Sequence, residues 1–497
     1  MTDDQNLSSL VHLPHIRDLA AAGTFFSHVV ATTPQCCPSR ATFLTGQYAH
    51  NHGVLSNKAP DGGYPVLDST RTLPVWLSEA GYRTGHVGRY LNGYGESKVG
   101  GDPLEIPLGW DEWRVPVEHT GFQMWNYTMN ENGTLNFYGD SESDYQTDVL
   151  ARMAEQFVLK NSSRREPFFL SVATLAPHKE GVLDNNPDAP RNPRPAPRHL
   201  GALDDLEIPR ALSYDEVDVS DKPRSVSSRV RRLSQRAVEG LEALNRSRVE
   251  SLLAVDDLVD RLIRALQRSG ELENTLVIFT SDQGFLFGEH RLVGKGTIYE
   301  GAVRVPLIFR GPGIAAGAVR NQLVANVDLA PTILDAAAVK PDVTLDGSSL
   351  LAIAADDTVP DQRSYLLELQ AVRGVDQEPR GASRDPREFY DPDTSGLRDR
   401  AYSTDLIAKR SSCTVAAGIT LRLCIWNRSR RASSVFAVRS PQFMYAEHST
   451  GEVELYDLER DPDQLVNVSQ ALEYRNELTA LADRLQTLKS CRGAVCR

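Results

Sequence analysis

The chain has 497 residues, more than one ordinary hydrophobic core accommodates. This length predicts one large domain with a smaller one, or two to three units as the alternative. Its hydrophobic content of 41% and charged content of 24% are typical of a globular protein, and no apolar run is long enough to span a bilayer. The net charge of −12 argues against a surface for nucleic acid or for anionic membranes, while a local cationic pocket stays compatible with it.

Apolar segments typical of strands alternate with amphipathic helical patterns through about residue 340, which predicts an α/β domain with a largely parallel sheet. Residues 10–19 and 73–77 have helical spacing, and residues 248–270 form the clearest helical pattern, with Gly270 as its end. The predicted strands are residues 84–87, 168–173, 276–280 and 306–309.

Two irregular regions divide the rest of the chain. Residues 184–224, rich in Pro, Arg and Asp, are predicted to form a long surface loop or lid. A charged region at about 354–400 separates a larger domain, residues 1–355, from a smaller one, residues 356–497. The predicted elements of the smaller domain are antiparallel strands at 436–438, 443–446 and 453–455 and a helix at about 471–488.

The six cysteines occur in three pairs. Cys413 with Cys424, and Cys491 with Cys496, are close enough in sequence to close short loops, with four free thiols as the alternative. Disulfides favour an extracytoplasmic location: secreted, periplasmic or lysosome-like. No signal peptide is visible, but this absence does not indicate a cytoplasmic protein.

Polar side chains stand just after three of the predicted strands. They are Arg89, His178 and the pair Asp282-Gln283. Because ligands of open parallel sheets bind beyond the carboxyl ends of the strands, we expect these side chains to converge on one rim.

The most informative stretch is Cys36-Cys37-Pro38-Ser39-Arg40, followed by Leu-Thr-Gly at residues 44–46. Alone, it is compatible with buried thiols, a strained disulfide or metal ligands. It resembles the C-x-P-S-R and L-T-G signature of the type I sulfatases, and other segments resemble that family in the same order. These segments are residues 2–5, 81–95, 176–178, 281–295, 304–313 and 454–458.

The chain is thus identified as a member of the formylglycine-dependent sulfatases, similar in its CCPSR and GRYLN segments to N-acetylglucosamine-6-sulfatases and arylsulfatase-like members. The resemblance implies an alkaline-phosphatase-like fold, in which helices cover a large, mostly parallel sheet and a smaller C-terminal α+β domain contains an antiparallel sheet. It also implies that a formylglycine-generating enzyme oxidises Cys36 to formylglycine (3-oxoalanine). One hydroxyl of the hydrated aldehyde attacks sulfur and the other expels sulfate, whereas a thiolate would keep its adduct.

The resemblance further implies a divalent cation with oxygen ligands. Asp3, Asp4, Asp282 and Gln283, with the modified Cys36, would bind Ca²⁺, or Mg²⁺ as the alternative. Asp3 and Asp4 alone would also fit a helix cap, but a second acidic segment after another strand favours the metal. The family usually has Asn in place of Gln283, which offers the same amide chemistry on a longer side chain.

The resemblance also implies a set of basic residues that bind the sulfate group. Arg40 would stabilise the hydrated aldehyde, and Lys295 and His178 would contact sulfate oxygens, with His178 as a donor to the leaving oxygen. Arg89 stands where the family usually has lysine, and its planar fork is not equivalent to an ammonium. The expected substrate-side residues are Asn92, His290 and Arg291, with structural support as the alternative for the last two.

The implied reaction is hydrolysis of a sulfate monoester to an alcohol and sulfate. The expected substrate is a sulfated sugar such as N-acetylglucosamine 6-sulfate, or an aryl sulfate. Two alternatives stay open: a phosphate or phosphonate monoester hydrolase of the same superfamily, and a catalytically silent binder of sulfated ligands, which Arg89 and Gln283 motivate.

The start of the sequence carries one more expectation. Residues 2–5 resemble the family's T-D-D-Q, which follows the first apolar strand of the fold. That strand has no counterpart in this sequence, so we expect a strand and an export signal to be encoded upstream.

Overall fold

The structure is a computed structural model that describes residues 1–97, 101–117, 120–181, 192–228, 230–360, 363–371, 380–381 and 434–497. Its α-helices are α1 (Pro14–Ala21), α2 (Cys36–Thr45), α3 (Ala49–His52), α4 (Leu73–Glu79), α5 (Gln146–Asn161), α6 (Arg224–Ser227), α7 (Gln235–Ser269), α8 (Glu300–Val303), α9 (Leu329–Ala336), α10 (Leu351–Ala355) and α11 (Arg475–Leu488). Its strands are β1 (Thr24–Val30), β2 (Arg83–Gly88), β3 (Glu112–Pro116), β4 (Tyr127–Glu131), β5 (Thr134–Tyr138), β6 (Phe168–Ala173), β7 (Val277–Thr280), β8 (Leu286–Phe287), β9 (Leu292–Gly294), β10 (Leu307–Arg310), β11 (Ala318–Ala325), β12 (Tyr365–Leu369), β13 (Arg380–Gly381), β14 (Val435–Arg439), β15 (Phe443–His448) and β16 (Val453–Asp457).

Two sheets carry the larger part of the fold. In the first, of order β11-β1-β10-β7, β1 is parallel to β11, and β10 is antiparallel to both of its neighbours. In the second, of order β5-β4-β3-β2-β6, β2 is parallel to β3 and β6. The α/β class is confirmed. The strand pairing is mixed rather than mostly parallel, because the Asn132-Gly133 turn folds β5 back along β4 and β10 runs antiparallel to β1.

The predicted helix at residues 248–270 is the end of a much longer one. Helix α7 begins at Gln235, where the Ser234 side chain accepts a hydrogen bond from the Ala237 amide, and it ends at Gly270 with a left-handed φ of 76°. The early turns are rich in polar residues and contain Gly240, which weakens the helical pattern in the sequence. Buried Leu241 and Leu244 continue the apolar face through those turns.

The predicted C-terminal antiparallel sheet is confirmed, in the order β12-β14-β15-β16. Its hydrophobic core is continuous with the larger part of the fold, since Val30 and Tyr299 pack in the same cluster as Leu366 and Tyr456. The predicted boundary between residues 355 and 356 falls between α10 and β12 and stays a prediction.

The cysteine predictions have separate outcomes. Cys491 and Cys496 form a disulfide, whereas the predicted pair of Cys413 and Cys424 lies outside the described residues. Cys36 and Cys37 are buried, and neither forms a disulfide with another described residue. In the described part of the chain, no helix is both long enough and apolar enough to cross a membrane.

A groove of about 880 Å³ separates the facing edges of β6 and β7. Apolar side chains from both strands and from α7 line it, among them Leu170, Val172, Val259, Leu262 and Ile278. Its upper end is closed by residues 1 and 2: the Met1 amino group donates to the Val172 carbonyl oxygen at 2.8 Å, and the Thr2 amide donates to the Thr280 carbonyl oxygen at 2.9 Å.

No strand of the described residues pairs with these two edges along the rest of the groove. The apolar groove between two open edges is a place that suits a further strand.

We predict that the groove accepts an apolar strand. An engineered extension of about six strand-forming apolar residues before Met1 should raise the midpoint of thermal unfolding by about 2 °C or more, because it buries apolar surface and pairs both open edges. The control is an extension of the same length made of glycine and serine. Equal midpoints for the two extensions, measured by calorimetry, would show that the groove does not hold a strand.

Candidate active site

The carboxyl ends of β2, β6 and β7 bring distant segments to one rim. Arg89 follows β2, and Asp282 follows β7. Thr2 forms a parallel bridge with Ser281, and the Asp4 amide donates to Asp282 Oδ1 at 3.0 Å. The first residues of the chain are therefore held against a segment from its second half.

Gly88 explains how Arg89 enters the rim. The φ of Gly88 is 106°, and a Cβ at this position would lie 1.9 Å from the Ala173 carbonyl oxygen. The Arg89 amide donates to the same oxygen at 2.8 Å. Only glycine allows β2 to end so close to β6, and this close approach directs the Arg89 side chain inward.

Cys36 is the first residue of α2 and is fully buried. Its sulfur lies 2.8 Å from Lys295 Nζ, 3.1 Å from Gln283 Nε2 and 3.8 Å from Arg89 Nη1. The thiol also faces Asp3 Oδ1 at 3.5 Å. Two cations, an amide donor and a helix amino terminus thus surround the sulfur, which is an environment for a negative charge.

Arg40 lies one turn further along α2 and is 3% exposed. Its Nη2 donates to Asp3 Oδ2 and its Nε to Asp282 Oδ2, both at 2.8 Å. Its Nη1 donates to the Arg89 carbonyl oxygen at 2.8 Å. Arg40 therefore joins the two acidic segments to the backbone at Arg89. It helps to position the groups that surround Cys36 through these hydrogen bonds.

Three buried carboxylates form an acidic cluster beside Cys36. One oxygen from each of Asp3, Asp4 and Asp282 lies within 4.8 Å of the others. The Gln283 Oε1 atom is buried and accepts no hydrogen bond from the described residues. Carboxylate and amide oxygens are the ligands that Ca²⁺ and Mg²⁺ prefer, so this donor set fits a hard divalent cation.

Cations balance the acidic cluster. Burial raises the pKa of Asp282, but Arg40, then Lys295 and Arg89, lower it, and the net shift of this pKa is downward. Lys295 Nζ also lies 2.8 Å from Asp4 Oδ1. Three carboxylates thus face three basic side chains, and a bound divalent ion would add two positive charges that favour an anionic substrate.

His178 is fully buried at the end of β6. Its Nδ1 lies 2.7 Å from the Lys179 carbonyl oxygen, which requires a proton on Nδ1. Its Nε2 faces Asp4 Oδ2 at 3.8 Å. With Nδ1 protonated, Nε2 carries a proton to donate only when the ring is an imidazolium.

The Arg89 guanidinium is held on three sides. One nitrogen pairs with the Asp3 carboxylate, and Nη2 donates to Asn92 Oδ1 at 3.2 Å. The Phe122 ring lies under the guanidinium, 4.3 Å from Arg89 Cζ, and 5.5 Å from the His178 ring. Phe122 was not predicted from the sequence, because a phenylalanine carries no sequence signal of such a contact.

His290 and Arg291 face the predicted lid. His290 Nδ1 lies 2.6 Å from Glu216 Oε2, and Arg291 donates to the carbonyl oxygens of Glu216 and Val217 at 2.8 and 2.7 Å. Among contacts of the described residues, none joins either side chain to Cys36. The described part of the lid, residues 192–224, thus packs on this segment, while residues 184–191 lie outside the described part.

Solved structures share this fold across almost the whole chain. A protein solved in complex with its substrate D-glucosamine-2-N,6-O-disulfate has a TM-score of 0.71 at 21% identity, covering 98% of this chain and 96% of that one. The phosphonate monoester hydrolase of Agrobacterium radiobacter has a TM-score of 0.60 at 20% identity, covering 98% and 94%. The fold is therefore alkaline-phosphatase-like.

Sequence comparison identifies the family to which the chain belongs. The sulfatase family model matches residues 4–339. The N-acetylglucosamine-6-sulfatase of Homo sapiens is 32% identical over 511 residues, which cover 100% of this chain and 85% of the human protein. The chain belongs to the sulfatase family, the hydrolases of sulfate monoesters.

We predict that Arg40 stabilises the fold through its two carboxylates. Arg40→Met should lower the free energy of unfolding by about 3–5 kcal/mol at pH 7, because it leaves buried carboxylates unpaired. The folded-state pKa of Asp282 lies below its unfolded value, so this contribution is present at neutral pH and is lost as the pH falls through the folded pKa. The deficit of the variant should therefore shrink in acid.

The matched control is Arg264→Met, which breaks an exposed pair with Asp260 inside α7. Chemical unfolding at pH 7 and at about pH 2, below the usual aspartate pKa of about 3.9, measures both variants. The exposed pair should contribute little at either pH, because solvent screens it. Equal losses for the two variants at pH 7 would contradict the bridging role of Arg40.

Proposed function

We propose that the protein hydrolyses a sulfate ester of a sulfated glucosamine, with the 6-sulfate of N-acetylglucosamine as the first candidate. The reaction converts R–O–SO₃⁻ and water into R–OH, sulfate and one proton. The observation that carries the proposal is the enclosure of the Cys36 sulfur by Lys295, Gln283 and Arg89 beside three carboxylates. The glucosamine part is supported by the human relative and by the substrate complex that shares the fold.

Cys36 is proposed to be converted to formylglycine by a formylglycine-generating enzyme. The modified residue would supply one hydroxyl that attacks sulfur and a second that allows sulfate to leave. The cysteine stands at the amino terminus of α2, so the helix dipole favours negative charge on whatever oxygen replaces the sulfur. The disulfide of Cys491 and Cys496 supports maturation in an extracytoplasmic compartment.

Asp3, Asp4, Asp282 and Gln283 are proposed to hold the divalent cation. Ca²⁺ is placed ahead of Mg²⁺ because four side chains offer oxygens to one site, whereas Mg²⁺ usually takes one or two carboxylates and keeps several waters. When bound, the ion would supply positive charge to the sulfate oxygens and to the nucleophile. Arg40 would keep two of the carboxylates ionised and in place.

The remaining cations are proposed to bind the substrate sulfate. Lys295 Nζ lies 2.8 Å and Arg89 Nη1 3.8 Å from the Cys36 sulfur. Each would therefore contact an oxygen of a sulfate group placed beside this residue. His178, with its Nδ1 proton held by the Lys179 carbonyl oxygen, would donate the Nε2 proton of its imidazolium form to the leaving oxygen.

The sugar side is proposed to involve Asn92, His290 and Arg291. Asn92 reaches the site through its bond to Arg89. His290 and Arg291 would act through the lid residues that they hold, Glu216 and Val217, which would border the sugar rather than the sulfur.

The test begins with mass spectrometry of the peptide that contains Cys36, on protein produced with a formylglycine-generating enzyme. Converted protein is then assayed on N-acetylglucosamine 6-sulfate, an aryl sulfate and an aryl phosphate. Conversion with preferential release of sulfate supports the proposal. Preferential release of phosphate would make the protein a phosphate ester hydrolase, and binding without turnover would make it a sulfated-ligand binder.

We predict opposite outcomes for the two neighbouring cysteines. Cys36→Ser should abolish release of sulfate, with a loss of at least about 10³-fold in kcat/KM, because the nucleophile is gone. Cys37→Ser is the control: its amide would still donate to Asn57, and kcat/KM should stay within about threefold. A comparable loss in both variants would mean that Cys36 is not the nucleophile.

We predict that Asp282→Asn lowers both the affinity for the divalent cation and the rate of turnover. Removing one carboxylate charge from the ligand set should lower Ca²⁺ affinity by about 10-fold or more, measured by calorimetry after treatment with a chelator. Asp256→Asn is a control, since this buried aspartate accepts hydrogen bonds from the amides of His15 and Ile16 away from the acidic cluster. Unchanged affinity in Asp282→Asn would remove Asp282 from the ligand set.

A further inference from the structure

Arg248 is a buried cation that the reaction above does not use. It lies in the middle of α7 and is 2% exposed, which makes it one of the largest fully buried side chains of the described residues. Its Nη2 donates a hydrogen bond to the carbonyl oxygen of Asp4. A buried guanidinium is costly to desolvate, so its position beside the acidic segment calls for a physical reason.

The backbone at Asp4 supplies one reason. Its φ of 67° places a residue with a side chain in the left-handed region. This turn points the carboxylates of two consecutive residues, Asp3 and Asp4, into the same acidic cluster. A charged donor on the Asp4 carbonyl oxygen holds the turn in that conformation.

The segment that contains Asp282 and Gln283 leads into two residues that contact the same guanidinium. Arg248 Cζ lies 4.1 Å from the centre of the Phe285 ring and 5.5 Å from that of Phe287. The two phenylalanines lie two and four residues after Gln283 in the chain. Arg248 therefore touches the two segments whose side chains form the acidic cluster, one through a hydrogen bond and the other through aromatic faces.

We propose that Arg248 is a positioning residue for the divalent cation: it sets the distance between the segment of Asp3 and Asp4 and the segment of Asp282 and Gln283. The inference rests on the proposed metal site, but not on the identity of the ester that is cut. Residues that orient ligands from behind commonly change metal affinity by about 10–100-fold when they are removed.

The test is calorimetric titration of chelator-treated protein with CaCl₂ and with MgCl₂. Arg248→Met keeps most of the side-chain volume and removes both the donor and the charge. We expect its Ca²⁺ affinity to fall by about 10-fold or more. Arg248→Lys keeps the charge and one donor but not the planar face, so it should recover part of the affinity.

The matched control is Arg320→Met. Arg320 is also buried and donates to backbone carbonyl oxygens, those of Ile353 and Ala354, on a strand away from the cluster. Both Met variants should unfold at lower temperature than the parent, but only Arg248→Met should lose Ca²⁺ affinity. Equal affinities in the parent and in Arg248→Met, or equal losses in the two Met variants, would overturn the proposal.

Phe285→Leu keeps the hydrogen bond to Asp4 and removes the nearer aromatic face, which provides a milder variant if Arg248→Met does not fold. It should lose Ca²⁺ affinity in the same direction, and parental affinity in both Phe285→Leu and Arg248→Lys would overturn the proposal. A parent protein that binds neither ion would instead refute the proposed metal site itself.

Discussion

The Arg40 guanidinium lies between the carboxylates of Asp3 and Asp282, and the arrangement of the rim depends on this contact. The three side chains come from the start of the chain, from α2 and from the end of β7. All three are buried, so none of these charges can be left without its partners except at high energetic cost. The two sheets, the helix amino terminus at Cys36 and the first residues must therefore assemble together.

The general plan of the molecule was predictable because periodicity reports which faces are buried. Strands β6 and β7 and the end of α7 follow directly from the apolar pattern. The clustering of Asp3 with Asp282 followed from the rule on strand ends and from the resemblance. The partners of Arg40 and the contacts of Phe122 did not, since they depend on side-chain packing between segments that no local pattern links.

Charge, rather than fold, distinguishes the ester that such a site can accept. The same fold is shared with a phosphonate monoester hydrolase, so the arrangement of strands leaves the choice open. Near the Cys36 sulfur, Lys295 is a compact ammonium and Arg89 a planar fork stacked on Phe122. The lid residues Glu216 and Val217 contact His290 and Arg291 instead.

The enclosed amino group of Met1 has a practical consequence for handling the protein. Asp3 stands two residues later, inside the acidic cluster. A polar affinity tag fused ahead of Met1 would have to pass through the apolar groove or pull Asp3 outward. The exposed Arg497 at the other end of the chain is the safer place for a purification handle.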